Sequence, residues 1–226
     1  MRTENEIRLA DYNKIDKADL YYLVYKPLIR DLENSVKKYA GTRVLDLGCG
    51  NKPYEAMFSG IAKEYVGCDV VQSNMNKVDV ICEATKIPLP DASFDTVFST
   101  QVIEHVEDHQ AMVKEAFRLL KPGGHFIVSG PMYWHLHEEP HDFFRFTKHG
   151  FKYLLEKYGF TVIEILPNGG KWALMGQVIL HTVSARLVRI KLYRRFVNTV
   201  FSYLDKRFYN DFNTMNYVVV GKKEIK

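Results

Sequence analysis

Seven apolar runs of strand length, mostly separated by segments of helical spacing, constrain this sequence more than any other feature. The runs fall at residues 43–47, 64–69, 78–81, 94–100, 125–130, 161–166 and 217–221. Between them, residues 17–39, 110–120 and 148–158 repeat apolar side chains at nearly 3.6 spacing. "LLKPGG" (119–124) has the form of a helix C-terminus with proline and glycine just before an apolar strand. Strand and helix in alternation predict an α/β fold. The sheet is expected to be doubly wound, mostly parallel and seven-stranded, with helices on both faces.

The chain has 226 residues, which suits one domain. It divides into an N-terminal helical cap (1–41), a central core (42–166), a helical insertion (169–210), and a last strand with its tail (211–226). A hydrophobic content of 46% excludes a disordered chain. The net charge of +4 is too small to indicate nucleic acid as a partner, and none is expected. Cys49, Cys68 and Cys82 are odd in number and lack paired spacing, which fits a reducing compartment rather than a disulfide framework. The first twenty residues are too charged for a secretory signal, and no apolar run is long enough to span a bilayer. A cytoplasmic protein is expected.

The insertion is the one block that breaks the alternation. Residues 186–207 carry Arg186, Arg189, Lys191, Arg194, Arg195, Lys206 and Arg207 against a single acid, Asp205. Apolar residues from Ile179 through Val183, Leu187, Ile190, Val197, Phe201 and Leu204 to Phe208 recur mostly three or four apart. A basic amphipathic helical segment of this kind has three readings. It packs on the sheet as a hairpin, forms a homodimer interface, or makes peripheral contact with an anionic membrane at its inner face.

"VLDLGCGNKPY" (44–54) marks the ligand end of the sheet. A dinucleotide fingerprint requires G-x-G-x-x-G, whereas here Gly48 and Gly50 are followed by proline in the third place. No Gly-Lys-Ser/Thr follows, so the turn is not a P-loop. Asp46 stands two residues before the first glycine, where a carboxylate repels a pyrophosphate but receives an amino group. The second strand ends "GCD" at Asp69, where an acid accepts from ribose hydroxyls. Together these features favour a nucleoside that bears an amino acid.

The runs "VLDLGCGN", "GCD", "CEATKIPLPDASFDTVFSTQVIEHV" and "RLLKPGGHFIVSGP" occur in that order. They resemble the class I S-adenosylmethionine-dependent methyltransferases, and within them the type 11 domain. The resemblance covers about residues 42–166 and implies a Rossmann-like fold, S-adenosyl-L-methionine as cofactor, and methyl transfer. It implies that Asp46, Gly48, Cys49 and Gly50 hold the methionine moiety and that Asp69 takes the ribose hydroxyls. Val70 is implied to pack on adenine, with Glu83 and Ala84 at the adenine edge, although family members more often carry Asp where Glu83 stands. Thr100 and Gln101 are implied near the methionine carboxylate or the sulfonium.

Chemistry on the acceptor is expected from "MYWHLHEEPHDFFRFTKHG" (132–150), just past the fifth strand. O-methylation requires a base. His141 beside Asp142 offers one with an orienting carboxylate, and Arg145 offers a grip on an anionic or hydroxyl-rich acceptor. Phe143, Phe144 and Phe146 read mainly as core anchors of the loop. The alternative reading makes Asp142 and Arg145 a structural ion pair. His105 of the "EH" pair is the reserve base. His135, His137, His141 and Asp142 match no familiar metal spacing, so no metal is expected. The acceptor is expected to be a small molecule or glycan-like. The alternatives are a non-catalytic cofactor-binding or scaffold protein of the same fold, and methylation of a membrane-associated lipid or quinone acceptor.

Overall fold

The computed structural model describes residues 15–225. The first fourteen residues of the expected N-terminal cap lie outside them. Helix α1 (Tyr22–Tyr39) begins later than its apolar periodicity. The reason is local: Asp16 accepts from the Ala18 N–H and Asp19 accepts from the Asp16 N–H, a turn that competes with helix.

Strands β1 (Arg43–Leu47), β2 (Glu64–Asp69), β3 (Val80–Ile81), β4 (Phe94–Thr100), β5 (Leu120–Pro131), β6 (Phe160–Asn168) and β7 (Asn216–Lys223) form one sheet. Its order is β3-β2-β1-β4-β5-β7-β6. The first five strands are parallel and β7 runs antiparallel to both its neighbours. This is the expected α/β class with a mostly parallel seven-stranded sheet. The chain winds outward from β1 to β3 and then returns to the other side of β1 with β4. A crevice therefore opens beyond the carboxyl ends of β1 and β4, the switch point where ligands bind in such sheets.

Two strand boundaries differ from the sequence reading. β3 is shorter than 78–81, and β5 begins at Leu120 rather than at His125. Leu120 pairs with Phe94, the segment through Gly123 and Gly124 bulges, and pairing resumes between His125 and Thr96. Gly123 (φ +81) supplies the left-handed turn that the bulge needs.

Alternate residues of the strands feed two core clusters, one on each face. Leu45, Val97, Phe126 and Val128 pack with residues of helices α2 (His109–Leu119) and α3 (Lys148–Lys157), among them Met112 and Leu155. Val44, Phe98, Ile127 and Val218 pack against Leu28, Leu32 and Val36 of α1. Burial on both faces explains why the central strands read as continuous apolar runs.

The insertion is not one amphipathic helix. It forms α4 (Lys171–Thr182), α5 (Ala185–Arg189) and α6 (Lys191–Arg207). The chain leaves helical geometry at Val183 and at Ile190, and this splits the apolar stripe. Leu180, Val197 and Phe201 turn inward, while Leu187, Ile190 and Phe208 are exposed. Helices α4 and α6 pack on each other and on α1. Contact is closest at Gly176, where a Cβ would stand 2.6 Å from both Leu23 and Phe201. Asp205 of α6 accepts from the backbone N–H groups of Gly170, Trp172 and Ala173, which caps α4 from a neighbouring helix. The outward face exposes Leu192, Phe196 and Tyr203 beside Arg195. The dimer and membrane readings bear on that face. Among the described residues, no helix is long and apolar enough to cross a membrane.

Candidate active site

Beyond β1, β2 and β4 lie two adjoining cavities of about 210 Å³ and 1040 Å³. The smaller is lined by Asp46, Gly48, Cys49, Gly50, Thr100 and Gln101, and is closed on one side by Tyr21, Val24, Tyr25 and Leu28 from the α1 region. Val70, Glu83, Ala84 and His141 line the larger one. Gly48, Asp69, Val102, His105 and Glu138 line both, so a long ligand can pass from one cavity into the other.

The turn after β1 is built by backbone geometry. Gly48 and Cys49 donate to the carbonyl of Cys68, and Gly48 (φ +78) and Gly50 (φ +49) both lie in left-handed space. A Cβ on Gly48 would meet Val102 at 2.4 Å, whereas nothing lies within 4 Å of one on Gly50. Gly48 is therefore packed, and Gly50 leaves an open cradle for a ligand. Asp69 ends β2 and accepts from the Gly50 N–H at 3.0 Å and from the Val70 N–H at 2.7 Å. Its carboxylate thereby ties the turn to the second strand.

Asp46 lies at the floor of the smaller cavity and is 2% exposed. Burial pushes its carboxyl up to about 7, against the Tyr65 hydroxyl that donates to it at 2.7 Å. Burial also raises the Cys49 thiol, which removes it as a nucleophile. Thr100 Oγ1 shares a hydrogen bond with Ser129 Oγ at 2.6 Å, and Gln101 Nε2 donates to the same oxygen at 3.0 Å. Gln101 holds φ +54, uncommon backbone for a residue with a side chain, at the point where β4 meets the cavity.

The structure corrects the reading of the loop after β5. Asp142 hydrogen-bonds not with its neighbour His141 but with His137, through Nδ1 at 3.2 Å and the backbone N–H at 3.0 Å. His141 is exposed, and it is its backbone carbonyl that faces His105 Nδ1 at 2.8 Å. Arg145 does not extend toward an acceptor. Its Nη1 and Nη2 each contact Asp142 at 2.7 Å, and its remaining bonds go to the carbonyls of Trp134, His135 and Phe144. This is the structural ion pair of the alternative reading. Burial alone would raise the Asp142 carboxyl, but the bonds from Arg145 and His137 outweigh it and hold the group below the ordinary carboxylate range. Phe146 is buried and Phe144 packs on the core, while Phe143 is exposed.

At the site, Tyr65 is not singled out by the sequence, whereas Glu104 stands in its "EH" pair and Trp134, His137 and Glu138 in its loop after β5, without their partners being legible. Tyr65 sits diagonally across from Asp46, whose partner on β2 is Gly67. The β1–β2 register, once assumed, would have put Tyr65 and Asp46 on one face. Glu104 and Glu138 come close to His105 and His137 beside the smaller cavity, a grouping that only the folded loop creates. Trp134 packs between Tyr21 and His181 of α4, so the insertion braces the wall of the smaller cavity.

Residues 45–128 match the model of a methyltransferase domain. A probable S-adenosylmethionine-dependent methyltransferase of Mycolicibacterium smegmatis is 39% identical over 100 residues, covering 41% of this chain and 39% of that protein. The 27-O-demethylrifamycin SV methyltransferase of Amycolatopsis mediterranei is 32% identical over 104 residues, covering 39% of this chain and 38% of that protein. The chain thus spans about two fifths of the length of these curated relatives. Among solved structures, the cyclase SpnF superposes with a TM-score of 0.62 at 16% identity, over 94% of this chain and 86% of that one. At that identity the likeness shows the fold alone.

Proposed function

We propose, from the premise that this chain carries a class I S-adenosylmethionine-dependent methyltransferase domain, that it methylates an oxygen of a small-molecule or glycan-like acceptor. The observation that carries this reading is the convergence of three strand ends on one cavity. A buried carboxylate from β1, an acid from β2 and the Thr100–Gln101 corner of β4 all line it.

The residues present fit S-adenosyl-L-methionine. Asp46 has the charge for its ammonium group, the open side of Gly50 has room for a chain, and Asp69 has acceptors for ribose hydroxyls. Val70, Glu83 and Ala84 line the larger cavity, which suits the adenine end. When bound, the cofactor supplies an electrophilic methyl group on a sulfonium. The protein's contribution is then position, exclusion of water and removal of the acceptor's proton.

For that proton, geometry favours His105 over His141. His105 lines both cavities, and its Nδ1 faces a carbonyl, which can only accept. Nδ1 therefore carries the proton, and Nε2 is the basic atom of the ring. Oxygen as the methylated atom is supported by the Amycolatopsis relative, whose name describes an O-demethylated substrate. A second reading follows from one fold serving unrelated activities, the cyclase SpnF among them: that this chain binds the cofactor without transferring its methyl group.

Label transfer separates the two readings. With methyl-labelled cofactor and an extract fraction of hydroxylated metabolites, protein-dependent labelling of an oxygen supports the first. Saturable cofactor binding without transfer to any fraction supports the second.

A further inference from the structure

Glu104, buried behind the cavity walls, converges with His105, which lines both cavities, and His137, which lines the smaller one. One ligand-type atom from each lies within 4.8 Å of the others. Their side chains are 0%, 4% and 9% exposed. Neither carboxylate oxygen of Glu104 has a hydrogen-bond partner, although the backbone carbonyl of the same residue accepts from Phe143 and Phe144. A carboxylate buried without partners is costly, so this position calls for a cation or a proton.

The histidines indicate which of the two it takes. His105 donates Nδ1–H to the carbonyl of His141, and its Nε2 stands 3.9 Å from Glu104 Oε1 and 3.9 Å from Glu138 Oε2. His137 directs Nδ1 at the Asp142 carboxylate, which Arg145 anchors in turn. One ring is thus fixed by a backbone carbonyl and the other by a carboxylate, the outer-shell arrangement usual for metal-ligating imidazoles. Glu138 and Asp142 bring further carboxyl groups to this space, and Arg145 is set against Asp142, so a cation entering it meets Glu104 and Glu138, which the arginine does not pair.

We propose that Glu104, His105 and His137 form a binding site for one divalent transition-metal ion, with Glu138 at its rim and an open position toward the smaller cavity. Two imidazoles and one carboxylate suit zinc and its first-row neighbours better than magnesium or calcium. Zinc's ligand atoms stand roughly 3.4 Å apart when tetrahedral, so the 3.9 Å between His105 and Glu104 closes by about half an ångström on binding, and separations to His137 of up to 4.8 Å close by as much as about 1.4 Å. The open position accepts an oxygen donor; with the ion bound, His105 Nε2 is a ligand rather than a base, and the ion instead favours loss of the acceptor hydroxyl's proton to water, an assignment that rests on the methyltransferase reading above. The spacing H-x-H-x-x-x-H-D could not reveal this site, because two of its three ligands precede β5 and only His137 belongs to the loop.

The test uses the full chain, freed of metal with a chelator and titrated with zinc(II) by calorimetry and with cobalt(II) by visible absorption. The expected result is one saturable ion per chain, with cobalt bands of nitrogen–oxygen ligation. Glu104→Gln, which keeps shape, and His137→Ala should each abolish that binding. Asp142→Asn should weaken it about 10- to 100-fold, as loss of an orienting partner does. Asp69→Ala should retain the metal while losing cofactor affinity, so that failure of this site and failure of the methyltransferase reading are distinguishable. No saturable ion overturns the proposal, as does equal binding by the parent chain, Glu104→Gln and His137→Ala. If Glu104→Gln does not fold, as judged by its near-ultraviolet circular dichroism, His137→Ala decides alone.

Discussion

Tyr65 donates its hydroxyl to Asp46 across 2.7 Å, joining β2 to the floor of the cavity beyond β1. Asp46 is almost fully enclosed, and burial raises its carboxyl to about 7 while the tyrosine opposes the rise. The folded protein therefore holds this proton more tightly than the unfolded chain does. Its contribution to stability is full below about pH 4 and is lost as pH rises through about 7. Asp46→Asn should accordingly raise the Tm at pH 8 and leave it nearly unchanged at pH 4.

The same linkage acts on the ligand with opposite sign. A cationic amine binds the ionised carboxylate, so affinity for S-adenosyl-L-methionine should weaken as pH falls below about 7. Tyr65→Phe removes a bond to the charged form and should move that weakening upward by roughly one pH unit. Calorimetric titrations across pH 5.5 to 8.5 would check both shifts, taking about that range as the window in which Asp46 changes charge.

Arg145 is a staple of its loop. Arg145→Ala leaves Asp142, whose side chain is 1% exposed, without its main partner. The expected cost is about 3 kcal/mol in denaturant unfolding. Arg145→Lys should recover little of it, because one ammonium cannot reproduce two parallel bonds. Native stability with a raised KM for an anionic acceptor would restore the substrate-gripping role.

The two glycines of the turn should separate. Gly48→Ala forces a Cβ into Val102 and should reduce both stability and cofactor binding. Gly50→Ala meets no atom and should cost only the left-handed backbone penalty of about 1 to 2 kcal/mol. Its larger effect should be on cofactor affinity, since the new methyl group occupies the cradle. Paired measurements of Tm and Kd would resolve the two.

Most of the fold is legible because its signals are local. Apolar runs at β1, β2 and β4 coincide with the strands, and the glycine turn after Leu47 is written in residues that only a tight turn uses. The insertion was legible as helical but not as three helices. Its stripe keeps helical spacing across Val183 and Ile190, where the backbone in fact leaves the helix. The loop after β5 was least legible. Adjacency suggested His141 with Asp142, whereas an irregular chain brings His137 to Asp142 on one side and to Glu104 on the other. No periodicity encodes such contacts.

If the carboxyl ends of β1, β2 and β4 hold S-adenosyl-L-methionine, equilibrium titration of the purified chain should give one saturable molecule per chain, displaced by the demethylated product. Asp69→Ala should lose about 10- to 100-fold in affinity for both, the range expected for a charge-assisted hydrogen bond. A folded protein that binds neither compound at millimolar concentration, or an Asp69→Ala variant that binds both as well as the parent, would contradict that placement of the cofactor.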